Sequence, residues 1–189
     1  MTPMTPMTPV RVSILTLSDR CSRGLTIDTS GPALAAMARE RLGAQIIAQS
    51  CVPDDRQTIA DILRQWTAGP AAPDLILTTG GTGLAPRDIT PEATLDVIER
   101  RHAGLMELVR RRCSEKTPRA YLSRGEAGTR GRTLILNFPG SLRAATESFE
   151  ALLDILPHAI ETLRGEVQDD GRPDAIPTTG KVVRHEDAS

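Results

Sequence analysis

Short apolar segments of strand length alternate with segments of helical composition, and this alternation limits the fold more than any other feature of the sequence. The apolar segments are Val10–Leu17, Ala44–Val52 and Asp74–Thr78, and helical segments follow the first two at Pro32–Leu42 and up to Trp66. The third apolar segment is short and fully apolar at its centre, which is typical of a strand buried on both faces. Strands alternating with helices predict an α/β fold, here a single-domain three-layer sandwich with a mainly parallel sheet.

The second half of the chain predicts more helices and a small β-hairpin. Thr90 as N-cap and Pro91 at the first helical position are typical of a helix start. Two extended segments, Arg119–Ser123 and Arg132–Asn137, are separated by the glycine-rich link Gly125–Gly131, which suits a hairpin. The remaining predicted helices cover Gly104–Arg112, Ser141–Leu156 and Pro157–Leu163.

The length of 189 residues suits one domain with a sizeable core. We expect residues 10–165 to form this domain. Residues 1–9 repeat the triplet MTP and are predicted to be a disordered leader, because they have neither the charged nor the apolar part of a signal peptide. Residues 166–189 are rich in charge, Pro and Thr and are predicted to be a disordered tail.

Composition argues against several classes of partner. The formal net charge of -1 gives no electrostatic basis for binding nucleic acid or membranes. Aromatic residues make up only 2% of the chain, too few for stacking platforms that bind single strands. No segment approaches the length of a membrane span. The three cysteines have no CxxC spacing and are expected to be reduced thiols, so we expect a cytoplasmic protein.

A glycine-rich loop directly follows the third predicted strand. It reads Thr79-Gly80-Gly81-Thr82-Gly83, and Asp88 comes five residues later. Glycines allow a positive φ and bring backbone N–H groups close to a ligand, which suits a phosphate-sized anion. The loop is neither a G-x-G-x-x-G nor a Walker A sequence, and a tight strand-to-helix turn is the simpler alternative. A carboxylate beside a phosphate requires a metal ion or a proton between them, so Asp88 points to metal-assisted phosphate chemistry.

Four loops follow predicted strands, and in a parallel sheet they converge on one edge. These loops are 18–31, 53–55, 79–88 and 138–141. Asp54 and Asp88 would then face one pocket and could hold Mg²⁺, which prefers a few carboxylates together with water and substrate phosphates. Either residue is also explained as a helix cap, and Asp54 or Asp55 caps the helix that ends at Trp66.

Other candidate residues have simpler explanations when taken alone. A solvated loop explains Asp19, Arg20, Asp28 and Ser30, although the first loop is long for a plain connection. Ser123 is an ordinary serine at a strand end. The run Arg110–Arg112 is predicted to be a solvated helix face or a subunit contact.

The motifs together resemble a known family. The matching text is Ser18-Asp19-Arg20 with Gly24, Asp28-Thr29-Ser30-Gly31-Pro32, Pro53-Asp54, Thr78 to Gly83, Arg87 to Ala93, Ser123-Arg124-Gly125 and Asn137 to Ser141. In this order and spacing, over about residues 10–165, the chain resembles the molybdopterin adenylyltransferase family of the MogA/MoaB type. That family includes the G domains of two-domain molybdenum-cofactor proteins. The combination of TTGGTG with RDxTPEA is its most specific part.

The resemblance implies a trimeric cytoplasmic enzyme of molybdenum-cofactor biosynthesis. The family uses Mg²⁺ and ATP to adenylylate the terminal phosphate of molybdopterin, with release of pyrophosphate, and hand-over to a molybdenum-insertion protein is expected. The alternative is a catalytically silent relative that binds molybdopterin or acts as a scaffold, and retention of both Asp54 and Asp88 favours activity.

Residue roles follow from the same resemblance. Asp54 and Asp88 match the catalytic and Mg-associated carboxylates. Substrate or phosphate contacts are expected from Ser18, Asp19, Thr79, Gly80, Gly81, Thr82, Gly83, Ser123, Pro139, Gly140 and Ser141. One departure concerns the turn Pro139–Ser141, which the family often follows with Pro-Lys. Leu142 and Arg143 stand there instead, so the charge is kept and the helix start is less fixed.

Overall fold

Six strands form one sheet in the computed structural model, which describes residues 8–166 of the chain. The strands are β1 (Arg11–Leu17), β2 (Gln45–Val52), β3 (Leu75–Thr79), β4 (Arg100–Arg101), β5 (Ala127–Arg130) and β6 (Thr133–Phe138). The helices are α1 (Asp19–Ser22), α2 (Ser30–Leu42), α3 (Arg56–Trp66), α4 (Thr90–Leu95), α5 (Ala103–Ser114), α6 (Leu142–Glu150) and α7 (Leu156–Arg164), and Pro118–Leu122 is a 3₁₀ helix.

The sheet order is β2-β1-β3-β6-β5-β4, with β3 near the centre. β1, β2, β3 and β6 run parallel, whereas β5 is antiparallel to both of its neighbours. Leu77 of β3 lies opposite Ile14 on one side and Leu136 on the other. The prediction of a mainly parallel sheet with a hairpin is confirmed, and the hairpin is part of the same sheet.

Helices cover both faces of the sheet, which confirms the three-layer sandwich. One core contains Ile14 and Leu77 of the sheet, packed with Leu34 of α2 and Phe149 of α6. The other core lies on the opposite face, because neighbouring strand residues point to opposite sides. There Leu15, Ile76 and Ile135 pack with Ile59 of α3 and with α4.

The predicted strand Arg119–Ser123 is wrong, and the true partner of β6 is β5. Pro118 begins the 3₁₀ helix, and proline is poorly suited to a paired strand because it has no N–H to donate. Gly128 lies in the middle of β5, where an added Cβ would be 2.6 Å from Ile98 Cδ1. A glycine inside a strand often marks such a close approach. The part of the chain predicted as a link is therefore a strand, and the hairpin turns at Gly131.

Helix boundaries near prolines and threonines also differ from prediction. The predicted helix Ser141–Leu156 ends at Glu150, and α7 begins at Leu156 with Pro157 in its first turn, where the missing N–H costs nothing. Thr90 is not an N-cap, since it lies inside α4 and its hydroxyl donates to the Gly80 carbonyl at 2.9 Å.

Two short elements were not predicted. α1 lies within the segment 18–31 predicted as a loop and is capped by Ser18, whose Oγ accepts a hydrogen bond from Cys21 N–H at 3.2 Å. β4 pairs with β5 through only two residues, Arg100 and Arg101. Across residues 8–166, every helix is too short or too polar to span a lipid bilayer. The leader and tail predictions fall almost entirely on residues 1–7 and 167–189, which lie outside the described residues.

Candidate active site

The loops that follow the parallel strands meet at the carboxyl edge of the sheet, as predicted. Gly80 N–H donates to the Phe138 carbonyl at 3.0 Å, and Thr79 Oγ1 donates to the Pro139 carbonyl at 2.8 Å. Ser30 Oγ reaches the Gly140 carbonyl at 2.8 Å from the start of α2. The loops after β3 and β6 are thus joined to each other and to the first loop.

Gly80 and Gly81 must be glycine on steric grounds. Both have a positive φ, of +114° and +60°. An added Cβ on Gly80 would lie 2.1 Å from the Leu17 carbonyl oxygen, and one on Gly81 would lie 2.4 Å from Thr90 Oγ1 and 3.0 Å from Asp54 Oδ1. The Leu17 carbonyl and the Asp54 carboxylate therefore lie closer to the backbone of this loop than any side chain at positions 80 and 81 would allow.

The glycine loop offers unpaired donors. Among residues 8–166, no hydrogen-bond acceptor contacts the N–H groups of Gly81, Thr82 or Gly83. Successive N–H groups in such a turn favour an anion. The predicted role of this loop in binding a phosphate-sized anion stays a prediction, with which these free donors are compatible.

The structure separates the roles of Asp54 and Asp55. Asp55 caps α3, because its Oδ1 accepts a hydrogen bond from Thr58 N–H at 2.8 Å. Asp54 is not the cap; its Oδ2 accepts a hydrogen bond from Asp19 N–H at 3.1 Å. Burial raises the pKa of Asp54; the Asp19 N–H opposes this shift, while the charges of Asp19 and Asp88 add to it. A carboxylate with such a perturbed pKa in a cleft is a candidate functional group.

Asp88 is also free of a capping role. Ile89 precedes α4, and Asp88 Oδ2 instead accepts a hydrogen bond from Ala85 N–H at 2.9 Å. The same oxygen would lie 2.8 Å from an added Cβ on Gly83, so the carboxylate lies against the glycine loop. Its main chain closes the loop as well, since Asp88 N–H donates to the Ala85 carbonyl at 2.8 Å.

Two cavities open at this edge and share one wall. The first, of about 420 Å³, lies beside α6 and is called the α6 cavity. The second, of about 330 Å³, lies beside α1 and is called the α1 cavity. Gly81, Asp88 and Gly140 line both of them. A ligand in either cavity would therefore contact the same carboxylate.

The predicted site residues divide between the two cavities. Thr82, Gly83, Ser123 and Pro139 line the α6 cavity only. Ser18, Asp54, Thr79 and Gly80 line the α1 cavity only. Asp19 and Ser141 line neither cavity. Asp19 N–H donates a hydrogen bond to Asp54 Oδ2, and Ser141 Oγ caps α6 by accepting a hydrogen bond from Ala144 N–H at 3.3 Å. The structure thus brings the predicted loops together at one edge of the sheet. The side chains of Asp19 and Ser141, however, hold neighbouring backbone N–H groups and do not line a cavity.

Sequence reasoning missed several arginines around the site. Arg87 Nη2 lies 2.5 Å from Asp19 Oδ2 and also donates to the Asp54 carbonyl at 3.5 Å. Arg124 contacts the glycine loop and α4. Arg110, predicted to be solvated or at a subunit contact, donates to the carbonyls of Ser123 and Gly125 at 3.3 Å. The one available signal in the sequence was that Arg87 and Arg124 lie inside the motifs that resemble the family, which could have marked both as site residues.

Arg112 was predicted in the same way as Arg110 and also has a contact within the chain. Its guanidinium donates to the Ala151 carbonyl at 2.7 Å and pairs with Asp154 at 2.7 Å. It therefore ties α5 to the turn between α6 and α7, rather than lying free on a solvated helix face. A run of basic residues does not reveal such contacts, because the partners lie about 40 positions further along the chain.

Asp54 and Asp88 are the two carboxylates that the sequence proposed as magnesium ligands. They line the α1 cavity together, and each carboxylate has one oxygen held by a backbone N–H. Within residues 8–166, no group of three or more His, Cys, Asp or Glu side chains is arranged to hold a metal ion. Mg²⁺ commonly binds through one or two carboxylates plus substrate phosphates and water, and this donor set fits that pattern.

The cysteine thiols around the site are free, as predicted. Cys21 lines the α1 cavity, and Cys51 lies beside it on β2. Burial raises the pKa of Cys51 to about 11, with further contributions from the Cys21 thiol and nearby carboxylates. Burial also raises the pKa of Cys113. Because thiolates are the nucleophilic form, these raised pKa values favour the protonated, less reactive thiols.

Fold and site together define an α/β domain whose candidate ligand site consists of two adjoining cavities at the carboxyl edge of a parallel sheet. Residues 13–158 match the family model described as a probable molybdopterin binding domain. The chain therefore belongs to the molybdopterin-binding domain family.

Similar proteins agree with this family. The chain is 36% identical over 160 residues to the molybdopterin adenylyltransferase of Helicobacter pylori, covering 84% of this chain and 90% of that protein. It is 42% identical over 159 residues to gephyrin of Dictyostelium discoideum, covering 79% of this chain but only 22% of gephyrin. The chain thus spans about a fifth of that larger relative.

Among solved structures, the molybdopterin biosynthesis enzyme MoaB from Thermus thermophilus superposes with a TM-score of 0.75. The two sequences are 50% identical, and the match covers 82% of this chain and 97% of MoaB. At this level of identity the likeness extends beyond the fold to the family.

Proposed function

We propose that this chain transfers the adenylyl group of ATP to the terminal phosphate of molybdopterin and releases pyrophosphate. The observation that carries this proposal is the pair of cavities, of about 420 and 330 Å³, that share Gly81, Asp88 and Gly140. Reaction between two bound substrates requires adjoining pockets that hold the reacting atoms in contact. The Helicobacter pylori relative named for this activity aligns over most of both chains, which supports the same function here.

The proposed reaction balances without a covalent enzyme intermediate. An oxygen of the molybdopterin phosphate forms a bond to the α-phosphorus of ATP. The bond from that phosphorus to the oxygen shared with the β-phosphate breaks, and its electron pair leaves with pyrophosphate. Both substrates are anions, so catalysis consists mainly of positioning and charge stabilisation. The free N–H groups of Gly81, Thr82 and Gly83 are suited to bind phosphate oxygens.

We propose that Asp54 and Asp88 hold Mg²⁺ together with substrate phosphates. The ion would offset phosphate charge as the adenylyl group is transferred. The contribution of the chain is to fix the two carboxylates, through Asp19 N–H at 3.1 Å and Ala85 N–H at 2.9 Å. Fixed ligands need no reorganisation during the reaction, which favours transfer.

Pyrophosphate release tests the proposed activity. The protein is incubated with molybdopterin and Mg-ATP, and pyrophosphate is measured against a no-pterin control. Formation of pyrophosphate and adenylyl-molybdopterin in equal amounts is the expected result. Absence of pyrophosphate at saturating substrates overturns the activity, and binding of molybdopterin by calorimetry would then identify a catalytically silent binding or scaffolding relative.

We further propose a cytoplasmic homotrimer that hands its product to a molybdenum-insertion protein. The free thiols suit a reducing compartment. Leu25, Ile27 and Leu84 are exposed by 68%, 84% and 67%, as large apolar side chains at a subunit contact would be in a single chain. Light scattering should give about three times the chain mass of 20.4 kDa. A mass of one chain at micromolar concentration contradicts the trimer.

A further inference from the structure

The guanidinium of Arg124 joins both ends of the loop that carries Asp88. Its Nε donates to the Gly83 carbonyl at 2.7 Å, where the loop begins. Its Nη2 donates to the carbonyl of Asp88, where the loop ends. Four residues between these points, 84–87, are exposed. Arg124 therefore closes the base of an exposed loop at the residue that lines both cavities.

Glu92 of α4 completes the contacts of Arg124. Arg124 Nη1 donates to Glu92 Oε1, so the guanidinium is held by α4 as well as by the glycine loop. The hydrogen bond from Arg124 lowers the pKa of Glu92, which is therefore ionised at neutral pH. The three acceptors use the three different nitrogens of the planar guanidinium, whereas the single ammonium of lysine cannot reach all of them.

The main chain on either side of Arg124 is tied to the same site. Arg124 N–H donates to the Thr82 carbonyl at 2.8 Å, and the preceding Ser123 lines the α6 cavity. Arg110 holds the other side of this segment through the carbonyls of Ser123 and Gly125. The glycine loop and the Ser123 segment thus form one connected wall of the α6 cavity.

We infer that Arg124, paired with Glu92, is a positioning residue that fixes the Asp88 carboxylate at the wall shared by the two cavities. It touches neither cavity itself and acts through Asp88. The catalytic meaning of this inference rests on the proposed function, whereas the placement of the loop does not. A shift of about 1 Å in a catalytic group is enough to lower a rate by about a hundredfold.

The variant Arg124→Lys tests the inference, because it keeps the positive charge and removes the planar guanidinium with its several donors. We expect kcat for pyrophosphate release to fall at least about tenfold while KM for ATP stays within about twofold. Glu92→Gln keeps the shape of the side chain and removes its charge, so it should lower kcat by a smaller factor. It replaces Arg124→Lys as the test if the lysine variant does not fold. Arg56→Lys and Asp96→Asn are matched controls, since Arg56 and Asp96 form a similar bidentate pair at 2.7 Å that lines neither cavity.

Hydrogen–deuterium exchange supplies a readout that does not depend on turnover. Amides of residues 84–89 should exchange faster in Arg124→Lys than in wild type and Arg56→Lys, without a general increase elsewhere. Wild-type kcat in Arg124→Lys, unchanged exchange at 84–89, or a uniform increase over the whole domain each overturns the inference. If the wild-type protein releases no pyrophosphate, the proposed function fails, and the exchange result alone decides whether Arg124 positions this loop.

Discussion

Asp54 and Asp19 form a reciprocal pair of hydrogen bonds, in which the main-chain N–H of each residue donates to the carboxylate of the other. Asp19 N–H donates to Asp54 Oδ2 at 3.1 Å, and Asp54 N–H donates to Asp19 Oδ1 at 3.4 Å. Two carboxylates this close repel each other, but Arg87 lies 2.5 Å from Asp19 Oδ2 and offsets part of the charge. The pair fixes the Asp54 carboxylate at the α1 cavity and leaves the capping of α3 to Asp55.

Asp54→Asn is expected to lower kcat about a hundredfold or more, because a neutral amide binds Mg²⁺ and orients phosphates less well than a carboxylate. Asp55→Asn is the matched control: it is the same change one residue later, and asparagine caps a helix as well as aspartate does. Steady-state pyrophosphate release measures both variants. Asp54 has no role in the reaction if Asp54→Asn and Asp55→Asn turn over alike.

The pH dependence of the rate follows from the burial of Asp54. Burial raises the pKa of this carboxyl above its ordinary value, and the hydrogen bond from Asp19 does not cancel the shift. Since the ionised form is the one proposed to act, activity is present above the raised pKa and is lost as pH falls through it. The acid limb of kcat/KM should therefore lie above about 3.9, the ordinary pKa of aspartate. An acid limb at or below that value contradicts the assignment.

The carboxyl-edge site could be predicted from sequence because it depends on topology. Once β1, β2 and β3 are recognised as parallel strands from their apolar centres, the loops that follow them must meet at one edge. The motifs then indicated Asp54 and Asp88 among the loop residues. Local patterns were sufficient for this part of the site.

The remaining contacts depend on residues far apart in the chain, which local patterns do not reveal. Arg124 is 41 positions from Gly83 and 32 from Glu92, and nothing near Arg124 in sequence indicates either partner. The segment Arg119–Ser123 was predicted as a strand from its composition, although Pro118 favours a 3₁₀ start. β5 contains Gly128, which packs closely against Ile98, and this tertiary contact is not visible in the local sequence.

Asp74→Asn is expected to destabilise the fold by about 2 kcal/mol at neutral pH. Asp74 pairs with Arg164 at 2.7 Å, and their side chains are only 15% and 8% exposed. Burial by itself raises the pKa of Asp74, but hydrogen bonds from Arg164 and Arg11 outweigh it, and the net pKa is lowered.

The sign of the pH effect on stability follows from this lowered pKa. The stabilisation from Asp74 is fully present above the unfolded-state pKa, about 3.9, and is lost as pH falls through the lower folded-state pKa. Urea unfolding at pH 7 and near pH 3 should show the difference between wild type and Asp74→Asn shrinking on acidification. Asp61→Asn, in an exposed pair with Arg64, is the control and should change little at either pH. A difference between wild type and Asp74→Asn that does not change with pH contradicts the pairing.

Gly81→Ala should lower kcat about a hundredfold, because the added Cβ would lie 2.4 Å from Thr90 Oγ1 and 3.0 Å from Asp54 Oδ1 and would displace the carboxylate. Gly69→Ala is the matched control: its φ of +74° carries the same backbone strain, and nothing lies within 4 Å of an added Cβ. Both variants should lose about 1 kcal/mol of stability from the positive φ. Pyrophosphate release and urea unfolding measured on the pair separate strain from displacement, and equal kcat in the two variants would show that Gly81 is needed only for the turn.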